Sequence, residues 1–455
     1  MRKFAVAGGG ISGLVAAHTL ASSGEEVVLL EESDRLGGKL HTVDLEGATV
    51  EAGADCFIAR DENAMELCRE LGIEDLREPR SFGAWIWRGG TLHPMPRETF
   101  GGIPTSVGAL LTARMLSFRG RFRALADLVL PGPLTGPDIA VGSFVARRFG
   151  REVAEVLVDP LLAGTRAGTL DELSLAAATP ALDFVARRHR SVIRGLRRSD
   201  DTGPPRFLAP AQGMGAIAQA LKERLQAAGA EVRTRAPVTN IAPSPGGYRL
   251  KTGDGVVEVS GIVLAVPAYS AAEILRQLSP EAARELAGIR YASVASVAFA
   301  YPLGSIDLPP TGSGILVPGA ERAGIAACTW FSSKWPHLAP EDGRVILRCF
   351  LGRTGRHPAL DLDDDGLAAW AVAEMEQMLD VRAAPLSHHV ARWEQGLPQY
   401  EVGHLERVGR IERALRALPR VVVTGAAYRG SGVADCVRWG SEAARMVRGE
   451  ASTPA

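Results

Sequence analysis

Four short stretches near the start of the chain combine residue types that bind phosphate and ribose. The first is Gly8-Gly9-Gly10-Ile11-Ser12-Gly13, directly after the apolar run Phe4 to Ala7 and opening a helical pattern through Leu14, Ala17, His18 and Leu20. The second is Glu31, with Glu32 behind it, at the end of the apolar run Val27 to Leu30. Arg35-Leu36-Gly37-Gly38-Lys39 and Glu51-Ala52-Gly53-Ala54-Asp55-Cys56 complete the set. In a Gly-x-Gly-x-x-Gly turn the first glycine permits the tight turn, the second removes the side chain that would block a diphosphate, and the third lets helix and strand pack closely. The helix start then offers unpaired N–H groups and a positive dipole end to the anion. Glu31 stands where a carboxylate accepts both ribose hydroxyls; an arginine there would suit a 2′-phosphate. A nicotinamide site does not require the pair Gly37-Gly38 followed by Lys39, so the combined spacing predicts a flavin dinucleotide.

These residues act together only if strands, turns and helices hold them. Phe4 to Ala7 and Val27 to Leu30 read as buried parallel strands, and Asn63 to Leu71 as a helix closed by Gly72. Ala84 to Leu92 reads as a strand pair turning at Gly89-Gly90. From Pro104 to about Arg198 the pattern is mainly helical, with candidate helices at Val107 to Leu116, Phe118 to Leu130, Ile139 to Phe149 and Glu152 to Leu162. After an exposed turn at Asp200 to Pro205 come a helix, Ala216 to Ala228, and short strands at Glu231 to Arg235, Tyr248 to Lys251 and Gly261 to Ala265. Ser293 to Tyr301, Gly324 to Trp330 and Arg344 to Leu351 read as a second, antiparallel sheet. Val421 to Gly425 is again a buried strand. It runs through Gly430-Ser431-Gly432-Val433 into a helix whose N-terminus can face an electron-rich group such as a flavin pyrimidine edge. The fold class is therefore α/β, with a Rossmann-like FAD-binding domain built from both chain ends. By composition Val238 suits the core as well as the cofactor, and Trp393 reads as a buried structural residue.

The 455 residues suffice for two or three domains. Hydrophobic content of 46 % and charged content of 23 % fit a globular protein, and a net charge of −1 gives no whole-chain attraction to nucleic acid. Five dispersed cysteines without Cys-x-x-Cys spacing argue against a disulfide framework, a zinc site or an iron–sulfur cluster, so reduced cytoplasmic thiols and no metal are expected. A strand that begins at once leaves no room for a signal peptide, and no apolar run of about 18 residues predicts a membrane span. There is no Gly-x-Ser-x-Gly elbow and no metal-binding histidine spacing; His337, His388 and His389 read as ordinary surface or core residues, and the chemistry falls to the flavin. Two basic clusters, Arg114/Arg119/Arg121/Arg123 and Arg187/Arg188/His189/Arg190/Arg194/Arg197/Arg198, suit a solvated helix face, an anionic substrate's carboxylates or a membrane surface.

Several further stretches carry a resemblance. They are Leu92-His-Pro-Met-Pro with Gly102-Ile-Pro-Thr, Asp159-Pro-Leu-Leu-Ala-Gly164 with Leu173-Ser-Leu, and His189-Arg-Ser-Val-Ile-Arg-Gly, followed by Ser293-Val-Ala-Ser-Val-Ala, Ala327-Cys-Thr-Trp330 with Lys334-Trp-Pro-His337, and Trp393 through Tyr400 with Val402-Gly-His404. With the Gly425 to Cys436 closure they make the chain, from Phe4 to about Met446, resemble the porphyrinogen oxidases of haem biosynthesis. These belong to the amine-oxidase-like flavoprotein superfamily, and the Gram-positive branch acting on coproporphyrinogen III is the most similar. The resemblance implies FAD contacts at Gly8 to Gly13, Glu31, Lys39, Gly53 to Cys56, Val238, Trp393 and Ser431 to Val433; Glu32, Arg35, Gly38 and Gly425 join the candidate set. It also implies a six-electron oxidation in three flavin rounds, with dioxygen as acceptor and hydrogen peroxide as product. Substrate-pocket candidates are Leu162, Gly164, Arg166, Cys328, Thr329 and Trp330. Two departures stand out: Gly164-Thr-Arg166-Ala-Gly168 stands where relatives carry an aromatic and a charged or polar residue in the turn, which leaves Arg166 as a carboxylate contact or a surface change, and Ala84 replaces an arginine that precedes the hairpin in eukaryotic-type members, which favours coproporphyrinogen III over protoporphyrinogen IX.

The expected layout is an FAD-binding domain from residues 1–80, 201–270 and 406–448, a substrate domain from 81–103 and 271–405, a helical lobe from 104–200, and a disordered tail from 449–455. Alternatives of other kinds remain: another amine oxidase or desaturase, or a non-catalytic flavin-containing porphyrin carrier. Contact with ferrochelatase or a membrane surface and the oligomeric state are open at this point.

Overall fold

The computed structural model describes residues 2–450 apart from 60, 61, 82, 199–205, 310 and 356. The expected turn at Asp200 to Pro205 and residues 451–455 of the tail therefore lie outside the described residues. Five parallel strands form the first sheet, in the order Glu231–Arg233, Glu26–Leu30, Lys3–Ala7, Gly261–Leu264, Val421–Val423, so both chain ends contribute to it. Its central strands are apolar throughout because both faces are covered. Phe4, Val6, Val27 and Leu29 pack on one side with Leu14, Leu20, Leu221 and Val447, side chains of the helices Ile11–Ser22, Gly215–Ala227 and Val433–Arg448. Ala5, Ala7, Val28 and Leu30 pack on the other, against the antiparallel strands Val238–Ser244, Gly247–Thr252 and Gly255–Val259 and the helix Ala268–Leu275. Burying a side chain of Val or Leu size contributes about 1.5–3 kcal/mol, so each face is a substantial source of stability.

A seven-stranded sheet follows, in the order Ser387–Pro398, Tyr291–Tyr301, Val345–Leu351, Ala327–Trp330, Gly314–Leu316, Trp85–Arg88, Thr91–Pro94. The last two strands are the expected hairpin, with Gly89 and Gly90 both at positive φ in its turn. Alternation divides this sheet into two faces. Val297, Phe299 and Tyr301 pack with Leu367, Ala371 and Met375 of the helix Asp364–Glu376, while Ala298, Ala300 and Ile346 join the core of the first sheet.

Residues 107–198 are mainly helical, in more pieces than the periodicity predicts. The expected helix from Glu152 to Leu162 is Arg151–Val153, a wide π-turn at Ala154–Val158, and then Asp159–Arg166. Pro160 has no N–H to continue the ladder, so the chain restarts there. The helix expected from Phe118 to Leu130 stops at Ala124 and tightens into a 3₁₀ turn at Leu125–Leu128. Leu175–Ala178, Pro180–Arg188 and Val192–Arg198, together with the strand Gly314–Leu316, are too short to leave a clear period in the sequence.

Candidate functional site

The three glycines of the first turn have different tasks. Gly8 has φ +103°, and a Cβ there would stand 2.5 Å from the Ala265 carbonyl oxygen; a Cβ at Gly13 would overlap the Gly8 carbonyl oxygen outright. Both serve packing. At Gly10 a Cβ would meet no protein atom within 4 Å, so the missing side chain leaves open space before the start of helix Ile11–Ser22. The second glycine pair is tied onto the first: Gly37 N–H donates to Gly9 C=O at 2.8 Å, and Arg35 Nη2 donates to Gly38 C=O at 2.8 Å. Lys39, next in the chain, is exposed, and desolvation by the surrounding protein lowers its pKa. The Ser12 side chain lies close enough to the Cys436 thiol to lower its pKa, which sets the first turns of helices Ile11–Ser22 and Val433–Arg448 beside each other. Both dipoles favour an anion there.

Glu31 is oriented before any ligand arrives. Its Oε2 accepts Gly9 N–H at 2.5 Å, and its Oε1 accepts the Ser33 N–H at 2.8 Å and hydroxyl at 2.7 Å. A carboxylate has about four lone-pair directions, so acceptor capacity remains for a ribose. Ala236 N–H donates to Glu31 C=O at 2.8 Å, which carries the following Val238 past the same edge; Glu32 is exposed. Trp393 is half-buried, lies 6.0 Å from the Arg35 guanidinium and donates its indole N–H to Ala52 C=O at 3.1 Å. It thus stands between two of the candidate cofactor segments.

The turn from Glu51 to Cys56 rests on buried charge. Lys334 Nζ meets Asp55 Oδ2 at 2.6 Å. Burial alone would raise the Asp55 pKa, but Lys334 and Arg348 outweigh it and hold the carboxyl well below the usual carboxylate range. Glu51 is 1 % exposed and accepts Met214 N–H at 2.6 Å. Desolvation dominates there and raises its pKa from 4.5 to about 7, against the lowering effects of Met214, Thr42 and Arg348. The folded protein therefore holds a proton on Glu51 that the unfolded chain has released, and this contribution to stability is lost as pH rises from about 4.5 through about 7. Glu51→Gln keeps an acceptor and removes the titration. Its thermal midpoint is expected to gain on the parent between about pH 5 and about pH 8; a constant difference across that range would contradict the assignment.

At the other end of the chain, Arg166 Nη1 donates to Ser431 Oγ at 3.2 Å and lies 5.3 Å from the Tyr400 ring. Tyr400 OH donates to Ala426 C=O at 2.7 Å, accepts Gly430 N–H at 2.9 Å, and its ring stacks on His404 at 4.2 Å. Burial lowers the His404 pKa to about 4, which keeps the imidazole neutral near pH 7. Arg166 thus stands beside the Gly425–Val433 segment, where desolvation lowers its pKa despite the nearby Tyr400 and Asp435.

The substrate-wall expectation is split by strand alternation. Cys328 and Trp330 point into the core behind the sheet, Cys328 Sγ 3.8 Å from Met375 Sδ, whereas Thr329 belongs to the opposite face and pairs in register with Arg348. The period of two cannot put three consecutive strand residues on one wall. Leu162 is buried in the helical segment, and Gly164 is exposed next to Leu316, with 3.5 Å between its Cβ position and Leu316 Cδ2. Lys334 and Arg348, absent from the sequence candidates, hold the Glu51–Cys56 turn of the candidate site. A lone arginine in the apolar strand Val345–Leu351 was the available signal.

Comparison with known proteins decides the family. Residues 11–448 match the family model described as flavin containing amine oxidoreductase. The chain belongs to this family. It is 33 % identical to a coproporphyrinogen III oxidase of Bacillus subtilis, over 96 % of each chain. It is 34 % identical to a coproporphyrinogen III oxidase of Mycobacterium bovis, over 96 % of this chain and 95 % of that one. A crystal structure from Exiguobacterium sp. 255-15, named provisionally as a protoporphyrinogen oxidase, superposes with a TM-score of 0.87 at 30 % identity, covering 98 % of both chains. The protein is thus a flavin-dependent oxidoreductase with FAD as its cofactor. The residues fit that group: open space at Gly10, neighbouring helix starts, the cationic Lys39 and an oriented Glu31. Among the described residues no group of three or more His, Cys, Asp or Glu could hold a metal ion, and no helix is long and apolar enough to cross a membrane.

Proposed function

We propose that this protein oxidises a porphyrinogen to a porphyrin in haem biosynthesis, with coproporphyrinogen III as substrate and coproporphyrin III as product. The carrying observation is identity of 33–34 % to coproporphyrinogen III oxidases along almost the whole chain. Bound FAD supplies the two-electron chemistry, with dioxygen restoring it after each of three rounds. The chain's own residues bind and orient. Gly10, Lys39 and the helix start at Ile11 would receive the diphosphate, Glu31 the ribose, and Gly53–Cys56, Trp393 and Ser431–Val433, with the helix start at Val433, the ring system. Gly164, Arg166 and Thr329 are the substrate candidates that the fold leaves away from the cores, with the Arg166 guanidinium suited to a propionate carboxylate. The division into FAD-binding domain, substrate domain and helical lobe is part of this reading, as is a cytoplasmic location. Docking on an anionic membrane or ferrochelatase would use the lobe, where Phe118, Phe122 and Val129 are 71 %, 53 % and 70 % exposed beside Arg119 and Arg123.

Purified holoprotein given each porphyrinogen under air tests the reading by porphyrin fluorescence. Coproporphyrinogen III is expected to react faster. A strong preference for protoporphyrinogen IX would overturn the substrate assignment, and silence with both would overturn the oxidase assignment. In the same assay Arg166→Ala is expected to raise KM more than it lowers kcat; unchanged KM and porphyrin affinity would remove Arg166 from the substrate site.

A further inference from the structure

One backbone carbonyl, that of Ala52, collects donors from three adjacent strands of the seven-stranded sheet. Ser296 Oγ on Tyr291–Tyr301 donates at 2.9 Å, Arg348 Nη2 on Val345–Leu351 at 3.1 Å, and Trp393 Nε1 on Ser387–Pro398 at 3.1 Å. Arg348 Nη2 also reaches Gly53 C=O at 2.5 Å. Arg348 and Ser296 are only 3 % and 4 % exposed, and around them the same sheet face is built from Ala298, Ala300 and Ile346. Packing alone would be served at position 348 by an apolar residue, since taking a guanidinium out of water is costly. Nor is the charge used in a contact ion pair. Asp55 and Glu51 act on Arg348 electrostatically, while the Asp55 carboxylate bonds Lys334. The arginine's hydrogen bonds go to the backbone of the turn.

That turn is joined to the phosphate cradle. Hydrogen bonds to the Ala52 and Gly53 carbonyls polarise the peptide units whose N–H groups belong to Gly53 and Ala54. Ala54 N–H in turn donates to Lys39 C=O at 3.0 Å. A continuous set of contacts therefore runs from the sheet through Arg348 to the Gly53–Cys56 turn and on to Lys39.

We propose that Arg348, assisted by Ser296 and Trp393, is a positioning residue that fixes the Gly53–Cys56 turn against the sheet, and thereby sets where FAD sits relative to the wall that faces the substrate. The proposal rests on the assignment of that turn to flavin contact, not on the identity of the porphyrinogen. Its readouts accordingly need no substrate.

Arg348→Met and Arg348→Lys are compared with the parent by FAD titration of the apoprotein, visible circular dichroism of the bound flavin, and its reduction potential. Arg348→Met is expected to weaken FAD at least about tenfold, roughly 1.4 kcal/mol, and to change the visible dichroism. Arg348→Lys, which keeps the charge but ends one bond short of the Nη2 that meets both carbonyls, is expected to recover part of the affinity and not the dichroism. Parental affinity and dichroism in Arg348→Met would overturn the proposal, as would a loss of apoprotein stability with both readouts unchanged. Should Arg348→Met fail to fold, Ser296→Ala removes another donor to the same carbonyl at a residue outside the proposed flavin contacts. Altered visible dichroism in Ser296→Ala supports the proposal, and a parental spectrum overturns it.

Discussion

Gly10→Val is expected to yield a folded protein that no longer retains FAD, whereas Gly13→Ala, a smaller change three residues on, is expected to disrupt the fold. At Gly10 a Cβ would meet no protein atom within 4 Å, so branched carbons there displace nothing from the polypeptide and occupy the approach to the helix start. A diphosphate held off those N–H groups loses hydrogen bonds worth about 1.5–3 kcal/mol each. FAD affinity is therefore expected to fall at least about a hundredfold, roughly 2.7 kcal/mol. At Gly13 the added Cβ would overlap the Gly8 carbonyl oxygen, and helix Ile11–Ser22 would have to move off the sheet. Overpacking of this kind costs about 1–3 kcal/mol, more when backbone is the obstacle. The flavin-to-protein absorbance ratio and the far-ultraviolet dichroism separate the two cases. Stoichiometric FAD in Gly10→Val would mean that the open space does not receive the diphosphate; parental stability in Gly13→Ala would mean that the helix shift is cheap.

The contrast between neighbouring glycines shows which parts of the site are legible in a sequence. The cradle is local: strand, turn and helix follow one another, and the chemistry at Gly8, Gly10, Gly13 and Glu31 is fixed by spacing along the chain. The return of Gly261–Leu264 and Val421–Val423 to the same sheet was legible too, because buried parallel strands are apolar at every position. The substrate side depends on strand facing and register instead. Ala327-Cys328-Thr329-Trp330 reads as one wall, yet alternation sends Cys328 and Trp330 to the opposite side from Thr329. Arg348, Ser296 and Trp393 lie far apart in sequence, and only the pairing of their three strands brings them to one carbonyl. In the helical segment, Pro160 could be seen, but the wide turn it follows could not, since a π-turn arises from local packing and not from residue type.

The basic clusters, open on sequence alone, lie at the surface, and Asp127→Ala tests the buried arginine, Arg148, that donates to Arg190 of the second cluster. Asp127 is 0 % exposed, accepts the Ser191 hydroxyl at 2.8 Å and the N–H groups of Val192 and Ile193 at 3.2 and 3.0 Å, and lies 3.0 Å from Arg148 Nε. One carboxylate thus caps the helix Val192–Arg198 from a distance and neutralises a buried guanidinium. Arg148 also donates to Pro131 C=O and Arg190 C=O, and Arg190, an exposed member of the second cluster, donates to Val129 C=O and Leu130 C=O, so both arginines tie this helical segment to itself. Removing the carboxylate strands Arg148 without its counter-charge, and leaving one member of a buried pair alone costs about 3–5 kcal/mol. The loss of two capped N–H groups acts in the same direction. Asp127→Ala is therefore expected to lower unfolding free energy by that amount in denaturant titrations, with Asp127→Asn falling between it and the parent. By contrast Arg194, Arg197 and Arg198 are exposed, and their replacement by glutamine is expected to stay within about 0.5 kcal/mol of parental stability. An Asp127→Ala protein within about 1 kcal/mol of the parent would show that water replaces the carboxylate at Arg148.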